Sequence, residues 1–198
     1  LQSDRLSTDP DTMQKSTALA VTALTLALTA LTAPAAHAAD GWQWLPAFNN
    51  PAWKPDASLA LTGSRIGPGT GPDANAWGLD LNFNCGLMQT PDQRIRSPLN
   101  LTHSSKNGTS VTGFEVSPRY TVPLGDGLSA GVGPSVGAFQ VSTPGNDRTL
   151  LGVGAAAGMN YRAGALYTGF DIRYHATTSR SGVDYDPLTF GAKVGINF

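Results

Sequence analysis

The sequence predicts an all-β fold, an eight-stranded antiparallel up-and-down transmembrane β-barrel, on three observations. Apolar residues alternate with polar or small ones at a period of two in eight separate segments. Those segments run to 10–16 residues, longer than the five or six typical of a soluble sheet and suited to the roughly 9–11 that a tilted strand needs to cross a bilayer. The face opposite the apolar one is rich in glycine, a poor solvated surface and a good crowded interior, so the apolar face points outward to lipid.

Four regions follow in chain order. Residues 1–12 carry Asp4, Arg5, Asp9 and Asp11 and read as an upstream extension of the frame. Residues 13–38 read as a secretory signal: Lys15, an Ala/Leu/Thr stretch of about 16 residues, and the small-residue site Ala36-His37-Ala38. A helical span would need roughly 20 apolar residues, so this stretch is too short to be one. Residues 39–57, with Trp42, Trp44, Phe48 and Trp53 among Pro46, Pro51 and Pro55, read as an aromatic, proline-rich periplasmic segment lying at the membrane interface, since proline forbids a long helix. Residues 58–198 are the expected barrel.

Within it the strands are placed at about 58–66, 77–87, 94–103, 114–122, 127–141, 147–162, 164–177 and 188–198. The clearest is the last, where Leu188, Phe190, Ala192, Val194, Ile196 and Phe198 alternate with Thr189, Gly191, Lys193, Gly195 and Asn197. Stretches 67–76, 103–110, 142–148 and 177–187 are polar and longer, and all fall at one end. The alternate connections, such as Leu124-Gly125-Asp126-Gly127 and Arg162-Ala163-Gly164, are tight. Outward aromatics gather near strand ends: Trp77, Phe114, Tyr174 and Phe190 at the long-loop end, Tyr120, Tyr161 and Phe198 at the other.

Composition narrows the function classes. Lys+Arg 13 against Asp+Glu 14 gives no electrostatic reason for a nucleic-acid partner. The single cysteine, Cys85, excludes an intramolecular disulfide and any multi-cysteine metal site. No cofactor motif is found: the glycines at 131, 133 and 137 have the wrong spacing for a nucleotide loop, and no helix follows them.

The signal, the eight dyad strands and the terminal Leu188–Phe198 segment resemble the small eight-stranded outer-membrane β-barrels of Gram-negative bacteria, the OmpA/OmpX-type architecture. The resemblance covers about 58–198. It implies residence in the outer membrane, with outer-membrane lipid and lipopolysaccharide as surroundings. It also implies reading of Phe190, Ile196 and Phe198 by the barrel-insertion machinery, and outer loops that can meet an environmental or host surface ligand.

Eight strands leave a lumen only wide enough for side chains. By parity its charges are Asp80, Glu115 and Asp171 against Arg119, Arg173 and Lys193, a balance that favours a paired, side-chain-filled interior over an ion-selective pore. Inward glycines at 131, 133, 137, 152, 154 and 158 make room for Arg119, Tyr167 or Arg173, or leave a small cavity. The functional expectation is therefore a non-enzymatic structural or surface-interaction barrel. Two alternatives stand beside it. One is a conduit for small apolar molecules. The other is a lipid A-modifying hydrolase using His175, because Tyr174-His175 near an outer loop resembles the outer-membrane lipid A deacylases. Those enzymes carry a serine two residues from their histidine; here that position is Thr177, with Ser179 beyond. His175 shares inward parity with Asp171, which makes a His175–Asp171 or loop hydrogen bond the expected structural role.

Overall fold

A computed structural model describes residues 41–69, 72–178 and 185–198. The expected extension at 1–12 and signal at 13–38 lie outside the described residues. Among those described, no helix is long and apolar enough to cross a membrane, and the chain is organised by strands.

The barrel strands are β2 (Ser58–Gly67), β3 (Ala74–Asn84), β5 (Ile95–Lys106), β6 (Thr109–Val116), β7 (Arg119–Gly125), β8 (Leu128–Thr143), β9 (Asn146–Ala163), β10 (Leu166–Thr177) and β11 (Leu188–Asn197). Each pairs antiparallel with its neighbours, and β11 pairs with β2 from Leu188↔Gly67 to Asn197↔Ser58, which closes the sheet. β6 and β7 are two parts of one barrel staff: both lie between β5 and β8. The break falls at Ser117-Pro118, where proline supplies no backbone donor to the ladder. Counted as one, they bring the number of staves to eight. Closure satisfies the backbone donors and acceptors that an open edge would leave bare in hydrocarbon.

Four departures from the sequence expectation are physically informative. First, the stretches 103–110 and 142–148 are not loops. β5 and β6 meet in a two-residue turn at Asn107-Gly108, with φ of 51° and 77°, and β8 and β9 meet at Pro144-Gly145. Asn-Gly is the favoured pair for a turn needing two positive φ angles, so the strands run on to the tip. Second, β3 ends at Asn84, and Cys85 and Leu87 belong to a ten-residue connection, Cys85–Arg94, on the end expected to have only tight turns. It contains β4 (Met88–Gln89), which pairs with β1 (Gln43–Trp44). Third, the aromatic, proline-rich segment, to which the sequence assigned no element, carries short regular structure. After β1 comes a one-turn helix, α1 (Pro46–Asn49), and the Trp53 ring packs against Gly86.

The fourth departure is an inversion of polarity. Along most of the barrel the outward residues are apolar, with Leu61, Leu79, Val136, Leu151, Val153, Phe170, Val194 and Ile196 all exposed. Towards the tips of β6, β8 and β9 the outward rows become Ser110–Ser142–Asp147 and Thr112–Gln140–Thr149. There the inward residues Val111, Phe139, Val141 and Leu150 form an apolar core with Ile66, Ala76 and Tyr185. The lower part is an inside-out barrel for lipid; the upper part is an ordinary water-facing barrel.

Barrel closure rests on a tight seam. A Cβ at Gly195 would stand 1.9 Å from the Leu59 carbonyl oxygen and 2.7 Å from the Ala60 Cβ. Gly195→Ala therefore forces β11 away from β2, at a cost of about 1–3 kcal/mol or more. We expect this variant to refold with a lower yield of the heat-modifiable, fast-migrating gel species. Wild-type yield would show that the seam has slack.

Candidate functional site

Inward side chains lie in layers along the lumen, and the register of the strands sets the height of each. The innermost charged layer gathers around Asp171 of β10. The Arg119 guanidinium of β7 pairs with its Oδ1, and the Lys193 ammonium of β11 lies 2.8 Å from its Oδ2. Lys193 also donates to both carboxylate oxygens of Asp80 at 3.3 Å. Tyr167 stands beside them: its hydroxyl donates to Asn160 Oδ1 at 3.0 Å, and Lys193 Nζ lies 5.3 Å from its ring centroid. Asp80, Asp171, Arg119 and Lys193 are all essentially removed from solvent.

Above this lies a second layer. Glu115 of β6 meets Arg173 of β10, Nε to Oε2 at 3.1 Å and off the hydrogen-bond axis, and Arg173 Nη1 donates to Asn100 Oδ1 at 3.3 Å. His175, 0% exposed, places Nδ1 3.3 Å from Glu115 Oε1 and Nε2 2.8 Å from Ser135 Oγ; Ser135 in turn lies 2.7 Å from Ser117 Oγ. Phe139 covers the histidine edge-on at 5.1 Å, and Tyr185 packs on Phe139 at 5.6 Å. Burial, followed by the nearby Glu115 charge, pushes the Tyr185 phenol well above its ordinary value.

A charged cluster stands at the other mouth of the barrel. Asp56, just before β2, accepts from Arg162 and, at 2.7 Å, from Arg96, while Arg162 reaches Ser58 Oγ at 2.6 Å and Asn197 Oδ1 at 2.9 Å. Burial alone would raise the Asp56 pKa; the hydrogen bonds from Arg162 and Arg96 outweigh it and hold the carboxyl below its ordinary value.

The six charged residues expected in the lumen thus occupy two adjacent layers of ion pairs. Two expectations are corrected. His175 bonds Ser135 and faces Glu115, not Asp171, because the barrel's stagger puts Asp171 a layer lower with Arg119 and Lys193. Thr177 is not placed with the histidine: its hydroxyl donates to the Tyr185 carbonyl at 2.7 Å and its amide to Asp186 Oδ1 at 2.8 Å. Ser179 lies outside the described residues. The glycine wall is also filled differently. A Cβ at Gly158 would strike Asp171 and Arg119, but at Gly137 and Gly152 the occupant is Phe139, an inward aromatic that parity alone would have revealed. Phe190, Ile196 and Phe198 point outward and are exposed. Among the described residues no group of His, Cys, Asp and Glu could hold a metal ion.

A closed eight-stranded barrel with an outward apolar belt, aromatic rims and a charge-paired interior is the architecture of an integral outer-membrane protein of Gram-negative bacteria. Solved structures of that class share the fold. The chain is similar to Neisserial surface protein A (NspA), with 13% identity and a TM-score of 0.51 over 72% of this chain and 96% of that one. It is also similar to the N-terminal β-barrel domain of Pseudomonas aeruginosa OprF, with 12% identity and a TM-score of 0.50 over 73% of this chain and all of that domain. No protein-family model matches the chain, and no curated protein does.

The ion pairs generate a test. Arg119→Leu leaves Asp80 and Asp171 facing Lys193 alone, an uncompensated buried charge that costs about 3–5 kcal/mol. The double variant Arg119→Leu/Asp171→Leu restores the balance and should recover more than half of that loss. Urea unfolding of the vesicle-refolded barrel, followed by tryptophan fluorescence, measures both; a double variant no more stable than the single one counts against a shared pair.

Proposed function

We propose that this chain is a non-conducting, non-enzymatic outer-membrane barrel that serves as a structural scaffold and presents its outer end and lipid-facing wall for surface interaction. The observation that carries the reading is the burial and pairing of the inward side chains. An apolar cluster, two layers of ion pairs and the Asp56 cluster lie along the lumen, and an ion or apolar solute would have to displace buried partners to pass. A conduit for small apolar molecules is the less supported reading, since the upper lumen is packed by Phe139, Leu150 and Tyr185. Phe190, Ile196 and Phe198 suit recognition by the barrel-insertion machinery before the strand is embedded.

The hydrolase reading has one observation in its favour: Ser135 Oγ, His175 and Glu115 stand in the order of a nucleophile, base and orienting acid. Against it, Ser135 is 1% exposed and lies under the Phe139–Tyr185 cover, so no ester could reach its oxygen. Ser117, Ser135 and His175 Nε2 satisfy one another beneath the apolar cluster, while His175 Nδ1 stands 3.3 Å from Glu115 Oε1 without a hydrogen bond.

Two measurements test this. Planar bilayers containing the refolded protein should show no discrete conductance steps; reproducible steps would remove the sealed-barrel reading. A fluorophosphonate probe should leave the folded protein unlabelled, whereas stoichiometric labelling lost in Ser135→Ala would establish the hydrolase.

A further inference from the structure

The backbone ladder of the wall carries a double defect at one point. Above and below the Ser117-Pro118 break the β6–β7 stave keeps a single register with β8, Val116↔Val136 and Tyr120↔Val132, so Pro118 stands opposite Pro134. The direction of the peptide groups there follows from three backbone bonds. Ser117 N donates to the Pro98 carbonyl at 3.1 Å and Thr121 N to the Arg94 carbonyl at 2.8 Å, so odd-numbered residues of the stave turn their peptide groups to β5 and even-numbered ones to β8. Arg162 N donates to the Gly127 carbonyl at 2.9 Å, so on β8 the odd-numbered residues serve β9 and the even-numbered ones serve the stave. Pro118 and Pro134 therefore meet where each should give the other an N–H, and neither has one. Among the described residues no other proline faces a proline across the barrel ladders.

A proline in a strand paired on both sides removes a bond that nothing else supplies, and this pair lies in mid-wall, between the outward aromatics Phe114 and Tyr120 of the same stave. From Val116↔Val136 to Tyr120↔Val132 is 4 residues, about 13 Å at ~3.3 Å each, and between those two pairs no backbone bond joins the stave to β8. Hydrocarbon offers no donor to the bare Pro118 and Pro134 carbonyls. On the inner side a side-chain bond crosses the same gap: Ser117 Oγ lies 2.7 Å from Ser135 Oγ, and His175 Nε2 lies 2.8 Å from Ser135 Oγ. Both serines are buried. The gap is bounded along the stave, since Glu115 above it contacts Arg173 and Arg119 below it pairs with Asp171.

We propose that this point is a lateral seam: the stave and β8 part here while the rest of the ring stays closed, and Ser117, Ser135 and His175 form the catch that holds it shut. Local opening takes place where the fewest bonds have to break. Two ladder bonds are absent at this point, and the hydroxyl pair makes up for one of them from inside. The opening faces sideways, towards the bilayer, because Glu115 and Arg119 tie the stave to β10 on either side of it. The apolar cluster at the outer end stays in place, so the lumen is not opened along its axis. The seam gives the buried hydroxyl–imidazole contact a mechanical role, and it depends on the register of the barrel alone, not on the surface role.

The test is backbone amide exchange, followed by NMR on the full barrel refolded in phosphatidylcholine nanodiscs. The amides of Val116, Tyr120, Val132 and Val136 border the seam; those of Leu61 and Val194, paired across β2 and β11, serve as references. Two missing ladder bonds correspond to on the order of tenfold in the local opening equilibrium, and one hydroxyl bond to about fivefold. In the wild type the four seam amides should exchange faster than the references by about the larger factor. Pro118→Val/Pro134→Val supplies both donors from outward positions and should slow the seam by the same factor. Ser135→Ala releases the catch and should speed the seam by about the smaller factor, with Leu61 and Val194 unchanged; Ser117→Ala gives the same reading if Ser135→Ala does not refold. Equal protection at the seam and at the references in the wild type would overturn the seam, as would unchanged seam exchange in the double valine variant. An acceleration in the serine variants that Leu61 and Val194 share would overturn the catch.

Discussion

The constraint on which this structure depends is that a backbone crossing hydrocarbon must bond all of its peptide groups within the sheet. β11 against β2 meets it by closing the ring. With only eight staves the ring is narrow, and a narrow ring cannot hold bulk water as a large barrel does. The interior must then be solid. Ionic side chains make a solid interior only when their charges cancel and their partners stand at the same height, and the three acids and three bases of this lumen do both. The burial of Arg119, Lys193 and Asp171 is thus a consequence of barrel size, and their pairing a consequence of burial.

The same reasoning explains why the polarity of the strands reverses near the tips. A strand has one inward and one outward face throughout its length, but what lies outside it changes from acyl chains to water. β8 and β9 continue well past the belt, so Gln140, Ser142, Asp147 and Thr149 take the outward positions while Phe139, Val141 and Leu150 turn in. The apolar plug is what a water-facing barrel needs for its core. It also lies over the His175–Ser135 pair, so a geometry that would serve a hydrolase in a cleft is here enclosed. Distance alone does not make a nucleophile; Ser135 lies within hydrogen-bond reach of His175 and is buried.

Parity made much of this legible in the sequence. Leu188–Phe198 announces its two faces without ambiguity, and the same alternation puts Asp80, Glu115, Asp171, Arg119, Arg173 and Lys193 on the inside. What parity cannot give is height, because the shear of the barrel decides which inward residue of one strand meets which inward residue three strands away. Hence Asp171 and His175, on one face of one strand, have different neighbours. The β1–β4 clasp was invisible for another reason: strands of two residues have no period. The outer hairpins misled because Ser, Thr and Asn near a tip look the same in a loop and on the wet face of a strand, although Asn107-Gly108 is a two-residue turn signal in its own right.

A lumen that holds buried ion pairs directs the question of function to the outside. The tips at Asn107-Gly108 and Pro144-Gly145 are too short to form a cleft, and the strands that end there are fixed by their partners to the last residue. Such a surface presents rigid edges, which favours recognition by charge and shape over folding around a ligand. An eight-stranded ring gives its interior to paired side chains, which leaves the wall and the tips as the surfaces that meet lipid and water.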